Sequence, residues 1–350
     1  MSSFNILNNL KDGFVSGAAI VENAVLNKGK AKSDDKERDK DQIAGHDADE
    51  KGRRRLFFED PNLVFKLYDP NDARGKKEWE FYEDVKVNCP EILGKVIPNY
   101  YRSEVRMEEG ASEQGHYLVM ENIFKAHLEG EPCLADIKIG KAITKFDRKT
   151  VPIIGNIPGV QDLAKDAYAR AFTPGLGREG FQLLGIKVKN MQTGEFEKYG
   201  KSLGRSDHIL GVEFIVEKFL SGANVKGSPY QKKVIEHLIR DLNVIEKWLS
   251  TQTRYKFRGS SLVLAYLPPD DNKMKRLIVD RNSSVNSQTD FSILASMPLA
   301  GTDIFDNYEK PLAVVRLIDF NNFEMKNEID QESLFGVQNL RKYFYEQMNG

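Results

Sequence analysis

The chain has 350 residues, 40% hydrophobic and 29% charged, a globular balance with enough length for more than one core. Lys+Arg number 51 against 52 Asp+Glu, so no global field draws in nucleic acid or an anionic membrane, and any anion site must be a local basic patch. Cys89 and Cys133 are the only cysteines, no apolar run reaches the roughly 18 residues of a membrane span, and no secretion signal opens the chain. A reducing compartment, cytoplasmic or nuclear, is therefore expected.

Residues 4–26 place Ile6, Leu7, Leu10, Phe14, Ala18, Val21 and Val25 at helical spacing, as a helix packed on the body or one for a partner or membrane surface. The charged stretch 27–41 reads as a solvated linker, and folded material is expected to start near "QIAGH" (42–46). A strand is predicted over 62–69, with Lys66 alone among apolar neighbours. Residues 73–87 read as a loop entering a helix, with Trp79, Tyr82 and Val85 on one face. Strands follow at 115–122 and in "EPCLADIKIG" (131–140). Residues 181–200 read as a hairpin turning at Thr193-Gly194. A long amphipathic helix is predicted over 229–250 through Val234, Leu238, Leu242, Ile245 and Leu249, with Pro229 at its start. The apolar runs at 260–267 and 312–320 read as central strands, 269–309 as a mobile loop, and the end of the chain as a helix. The class is α+β.

Two nucleotide motifs fail on context. "GLGREG" (175–180) matches G-x-G-x-x-G, but a helix-like stretch precedes it and a β-like run follows, the reverse of what a pyrophosphate site needs. Its glycines are expected to make a turn. "GEFEKYGKS" (194–202) has five residues between its glycines where a P-loop has four, and lacks the flanking strand and helix. His46, His116, His127, His208 and His237 show no metal-ligand spacing, and no G-x-S-x-G marks a hydrolase.

Lys66, Asp136 with Lys138, and Asp319 are charges inside apolar strands. Asp136 and Lys138 share a face, because side chains alternate along a strand. Each charge alone reads as a structural ion pair. Together they match what phosphoryl transfer from ATP requires: a lysine on the phosphates, an acidic Mg²⁺ ligand at a strand end, a residue for the acceptor hydroxyl and a cation on the moving group. Asp319 in "RLIDF" resembles the D-F of a protein-kinase metal motif, and Glu78 or Glu80 is a candidate partner for Lys66. The catalytic and Gly-rich loops of protein kinases are absent.

"PCLADIKIG" resembles the P-x-x-x-D-x-K-x-G signature of the inositol polyphosphate kinases. Companions follow in the family's order over residues 40–346: "QIAGH", "VFKLYD", "RGKKEWEFYE", "KVIPNYY", "GSSLVLAY", "LIDF" and "DQESLFGVQNL". The resemblance implies a two-lobed kinase-like fold with ATP between the lobes, an N-terminal lobe over 41–122 and a C-terminal lobe over 123–350. It implies that Lys66 holds the ATP phosphates with Glu78 as partner, and that Glu121 and Ile123 present backbone groups to adenine. It implies further that Asp319 binds Mg²⁺ with Ser261 assisting, that Asp136 lies at the nucleotide ribose and the acceptor hydroxyl, and that Lys138 contacts the transferred or acceptor phosphate. Arg74, Lys165 and Arg170 are candidates for binding the inositol polyphosphate, the last two within the acceptor segment 141–180. Asn322 stands where relatives often have histidine, which leaves open the contact that histidine supplies. Cys133 in the signature leans toward the multikinase and hexakisphosphate-kinase branches. The expected activity is thus an ATP- and Mg²⁺-dependent, multikinase-like inositol polyphosphate kinase, acting as a monomer. The alternatives are a hexakisphosphate kinase making pyrophosphates, a non-catalytic inositol-phosphate binder and a lipid kinase.

Overall fold

A computed structural model describes residues 49–140, 175–200, 203, 211–224, 226–270 and 311–350. The expected helix at 4–26, the start near 42–46 and the loop beyond Asp270 lie outside the described residues, as do Lys165 and Arg170.

Two sheets divide the molecule. The first holds β1 (Leu56–Phe57), β2 (Leu63–Tyr68), β3 (Tyr100–Arg106) and β4 (Gly115–Glu121) in the order β1-β2-β4-β3, all antiparallel. Helix α1 (Ala73–Asn88) packs beside it. This helix begins at Ala73, without the loop expected there, because the Asp72 carboxylate accepts the Gly75 amide at 3.1 Å and caps the first turn. A short helix, α2 (Ile123–His127), leads out of β4 into β5 (Cys133–Ile139) of the second sheet. Asn122 caps α2, accepting from the amides of Phe124 and Lys125.

The second sheet runs β10-β9-β5-β6-β7, with β6 (Phe181–Lys189), β7 (Phe196–Tyr199), β9 (Ser261–Tyr266) and β10 (Ala313–Ile318). The β6–β7 hairpin turns where expected, with Gly194 at φ 79°. Strand β10 is an edge strand, where its apolar run predicted a central one. The run is explained by cover on both faces: Val315 and Leu317 join the main core, and Val314 packs with Leu128 and Leu134 on the other side.

Helices α3 (Val212–Leu220), α4 (Pro229–Thr251) and α5 (Gln331–Asn349) pack on the back of this sheet. Helix α4 is entered through Ser228, whose side chain accepts the Gln231 amide, with Pro229 in the first turn. Its Val234, Leu238, Leu242, Ile245 and Leu249 are fully buried, each contributing about 1.5–3 kcal/mol of hydrophobic stabilisation. Helix α3 was not assigned from sequence, although Val212, Ile215, Val216, Phe219 and Leu220 bury one helical stripe. A two-stranded ladder of β8 (Tyr255–Phe257) and β11 (Phe323–Met325) and short helical turns at Pro90–Ile92, Gly175–Glu179 and Ser221–Ala223 complete the described elements. Among the described residues, no helix is long and apolar enough to cross a membrane.

The main core is continuous from α1 to α5. At its centre Phe81 of α1 stacks on Phe320 with ring centroids 3.9 Å apart, and Phe257 and Phe323 meet Phe81 edge-on. This aromatic group joins the sheets and fixes the residue before Phe320.

Candidate active site

Lys66 lies mid-strand in β2, opposite Leu118 of β4, in the half of the molecule that carries α1. Its ammonium reaches Glu78 Oε1 at 2.7 Å and Asp319 Oδ1 at 2.6 Å. Of the two glutamates weighed for this lysine, Glu78 makes the contact; Glu80 is exposed and sits 3.6 Å from Lys76 instead. Glu78 Oε1 also accepts the Phe320 amide at 3.3 Å. Burial opposes the charge on Lys66, but the Asp319 and Glu78 carboxylates outweigh it and hold the lysine pKa above its ordinary value. One ammonium thus ties the first sheet to the end of β10.

Asp319 has φ 65°, the left-handed region that a non-glycine residue adopts at a cost of about 1–2 kcal/mol. The buried Phe320 after it and the Lys66 contact hold it there. Its side chain keeps 36% of its surface exposed, against 5% for Glu78, so of the two carboxylates Asp319 is the one open to a ligand.

The second sheet carries the other charges. Cross-strand register aligns Arg316, Val263, Asp136 and Gly185 in one row, and Ile318, Ser261, Lys138 and Gln182 in the next. Leu134, one row earlier on the same face, is covered by Leu128 and Phe124 around α2. Beyond that cover Asp136 and Lys138 are only half-buried, whereas Ile137 and Ile139 point into the core. The two charges in "CLADIKI" therefore share a half-buried sheet face, with Lys138 in the row that ends at Ile318, the residue before Asp319.

Glu121 ends β4 and Ile123 begins α2, on the link between the sheets. The Ile123 N–H belongs to the first helical turn, whose amides have no intrahelical partner. The buried Glu121 carboxylate accepts the Asn99 backbone and side-chain amides at 3.1 Å and lies 3.1 Å from His127 Nε2. Burial opposes its charge, yet the contacts to His127 and Asn99 hold its pKa below the usual glutamate value.

Arg74 lies in the first turn of α1, and its side chain is outside the described residues. Asn322 is half-buried, and its carbonyl accepts the Arg258 amide at 2.9 Å. Sequence reasoning missed Arg316, although the signal that flagged Lys66 also marks it: a lone charge in "AVVRLI". It also missed the contact of Gly336 with Gly180, at whose close approach the Gly140 amide donates to the Gly180 carbonyl at 2.8 Å.

The oxygen donors fit a hard divalent cation. No cluster of three or more His, Cys, Asp or Glu forms among the described residues, and Mg²⁺ commonly takes only one or two carboxylates where substrate phosphates fill the remaining positions.

The inositol polyphosphate kinase family model matches residues 117–345. Inositol polyphosphate multikinase beta of Arabidopsis thaliana is 25% identical over 237 residues, covering 64% of this chain and 74% of that protein. Inositol polyphosphate multikinase of Rattus norvegicus is 23% identical over 326 residues, covering 88% and 76%. The structure of inositol phosphate multikinase Ipk2 from S. cerevisiae, in complex with ADP and Mn²⁺, superposes with a TM-score of 0.53 at 21% identity, over 81% of this chain and 98% of that one. That likeness establishes the shared two-lobed fold. Because the family match spans well over half of the chain and takes in both the signature strand and the aspartate end of β10, the chain belongs to the inositol polyphosphate kinase family.

Proposed function

We propose that this kinase transfers the γ-phosphoryl group of Mg-ATP to an inositol polyphosphate, in the manner of a multikinase. The observation that carries the assignment of roles is the Lys66 ammonium held between Glu78 and Asp319, in a chain whose signature strand carries Asp136 and Lys138 on one half-buried face.

In this reading Lys66 binds the donor phosphates, with Glu78 fixing its direction. Asp319, assisted by Ser261, would hold Mg²⁺, which would supply charge neutralisation on the phosphates. The backbone at Glu121 and Ile123 meets the adenine edge. Lys138 sits against the transferred or acceptor phosphate and stabilises its charge in the transition state. Asp136 orients the acceptor hydroxyl and takes its proton as the acceptor oxygen bonds to phosphorus and the bridging oxygen leaves with ADP. Arg74, Lys165 and Arg170 bind the remaining phosphates of the acceptor. Lys66 releases Asp319 when the nucleotide arrives, since phosphate oxygens replace the carboxylate as its partner.

The test is incubation of the full chain with Mg-ATP and inositol phosphates from trisphosphates to the hexakisphosphate, with products resolved by anion exchange and Asp319→Asn as control. A product absent from the control supports the reading, and the acceptor consumed identifies the branch. No product from any acceptor refutes it.

A further inference from the structure

Arg316 has no task in that reading, yet its guanidinium meets several parts of the fold beside the link between the sheets. It is 5% exposed, on the cleft-side row of β10. Its guanidinium donates to the Gly94 carbonyl at 2.7 Å, the Val315 carbonyl at 2.8 Å and Asp241 Oδ2 on α4 at 3.3 Å. It also lies 3.2 Å from His127 Nε2 on α2. The same ring nitrogen is 3.1 Å from Glu121 Oε1. Asp241 in turn accepts the Val315 amide at 3.0 Å. Nε2 is a single atom, so it either accepts from Arg316 or donates to Glu121, and in both cases the polar groups form one contiguous cluster from α4 through β10 and α2 to Glu121 and Asn99.

Burying a guanidinium is costly, and an apolar side chain would fill the space with less penalty. What a planar fork adds is orientation, because its donors fix several acceptors at set angles. Here the acceptors come from three separate parts: the loop before β3, the helix after β4, and α4. The other end of the link is also held, since Asn122 donates to the Pro61 carbonyl at 2.9 Å and its amide donates to the Asn62 carbonyl at 2.8 Å. The backbone of 121–123 is thus pinned from both sides.

We propose that Arg316 and His127 are positioning residues for the nucleotide base: acting through Glu121, they hold the backbone of the link in the geometry that reads the adenine edge. This rests on the assignment of adenine to that link. Recognition by backbone groups tolerates displacements of only about 0.5 Å, so loosening the link costs base discrimination before it costs phosphate binding.

The experiment compares the affinities of Mg-ADP and Mg-GDP for the full chain and for His127→Ala, His127→Gln and Arg316→Lys, by calorimetry, with melting temperatures alongside. His127→Ala is expected to weaken ADP binding about tenfold and GDP binding far less, collapsing their ratio. Arg316→Lys, which loses the planar fork, is expected to do the same. His127→Gln keeps a donor and an acceptor and is expected to hold the wild-type ratio. If Arg316→Lys does not fold, His127→Ala decides, because that side chain is 27% exposed and lies at the end of a short helix. An unchanged ratio in His127→Ala, whatever happens to its melting temperature, overturns the proposal and leaves the cluster as scaffolding. Wild-type protein that binds neither nucleotide refutes the kinase reading itself, and the base-positioning role falls with it before any variant is compared.

Discussion

Asp319 and Lys66 show how single side chains join structure to chemistry. Asparagine tolerates the left-handed backbone as aspartate does, so Asp319→Asn keeps the turn while removing the charge that would hold a metal. Turnover is expected to fall about 100-fold or more with the melting temperature within a few degrees of wild type. Near-normal turnover would remove Asp319 from the metal site. Lys66→Met behaves differently, because it strands Glu78 in the core with only the Phe320 amide as partner. A cost of about 3–5 kcal/mol is expected in denaturant unfolding, and adding Glu78→Gln should recover part of it. Failure of the second change to recover stability would mean that the glutamate was never the source of the penalty.

At the scale of elements, α5 closes on the signature strand through glycine. A Cβ at Gly336 would overlap the carbonyl oxygen of Gly180, the acceptor for the Gly140 amide that follows β5. Gly336→Ala is expected to lower stability by about 1–3 kcal/mol, read by denaturant midpoint, through overpacking of backbone that cannot shift. A neutral effect would show that the α5 contact is loose. The acceptor segment belongs to the same scale. Lys165→Ala with Arg170→Ala is expected to raise the acceptor KM while leaving the ATP KM within about twofold, since both charges are assigned to phosphates of the inositol ring and none to the nucleotide. Acceptor and ATP KM values both unchanged from wild type would make that stretch a solvated surface.

For the whole molecule, pH dependence has an identifiable source in His237 on α4. Its Nδ1 accepts the Leu312 amide at 2.9 Å, and burial, followed by Arg240 and Lys233, pushes its pKa down to about 3 from 6.5. Below pH 6.5 the unfolded chain takes up a proton that the folded chain refuses until about pH 3, so stability falls as pH falls through that window. The melting temperature of the wild type is expected to drop between pH 7.5 and pH 5, and that of His237→Gln to drop less. Parallel curves would acquit the histidine.

Periodicity and signature motifs determined a good deal without any coordinates. The stripe of Val234, Leu238, Leu242, Ile245 and Leu249, the alternation in β5 and the α+β class were legible, because each follows from contacts within one element. The motif order pointed to the family as well. Tertiary structure alone decided which charges meet. Lys66 and Asp319 are 253 positions apart in sequence, and nothing local distinguishes Glu78 from Glu80 until α1 is docked and Phe81 stacks on Phe320. It also set β10 at the edge of its sheet, and it placed Arg316, one more charge in an apolar run, in a polar cluster that extends to Glu121. Spacing records the face a residue occupies; its partner on another element is fixed only when the elements pack.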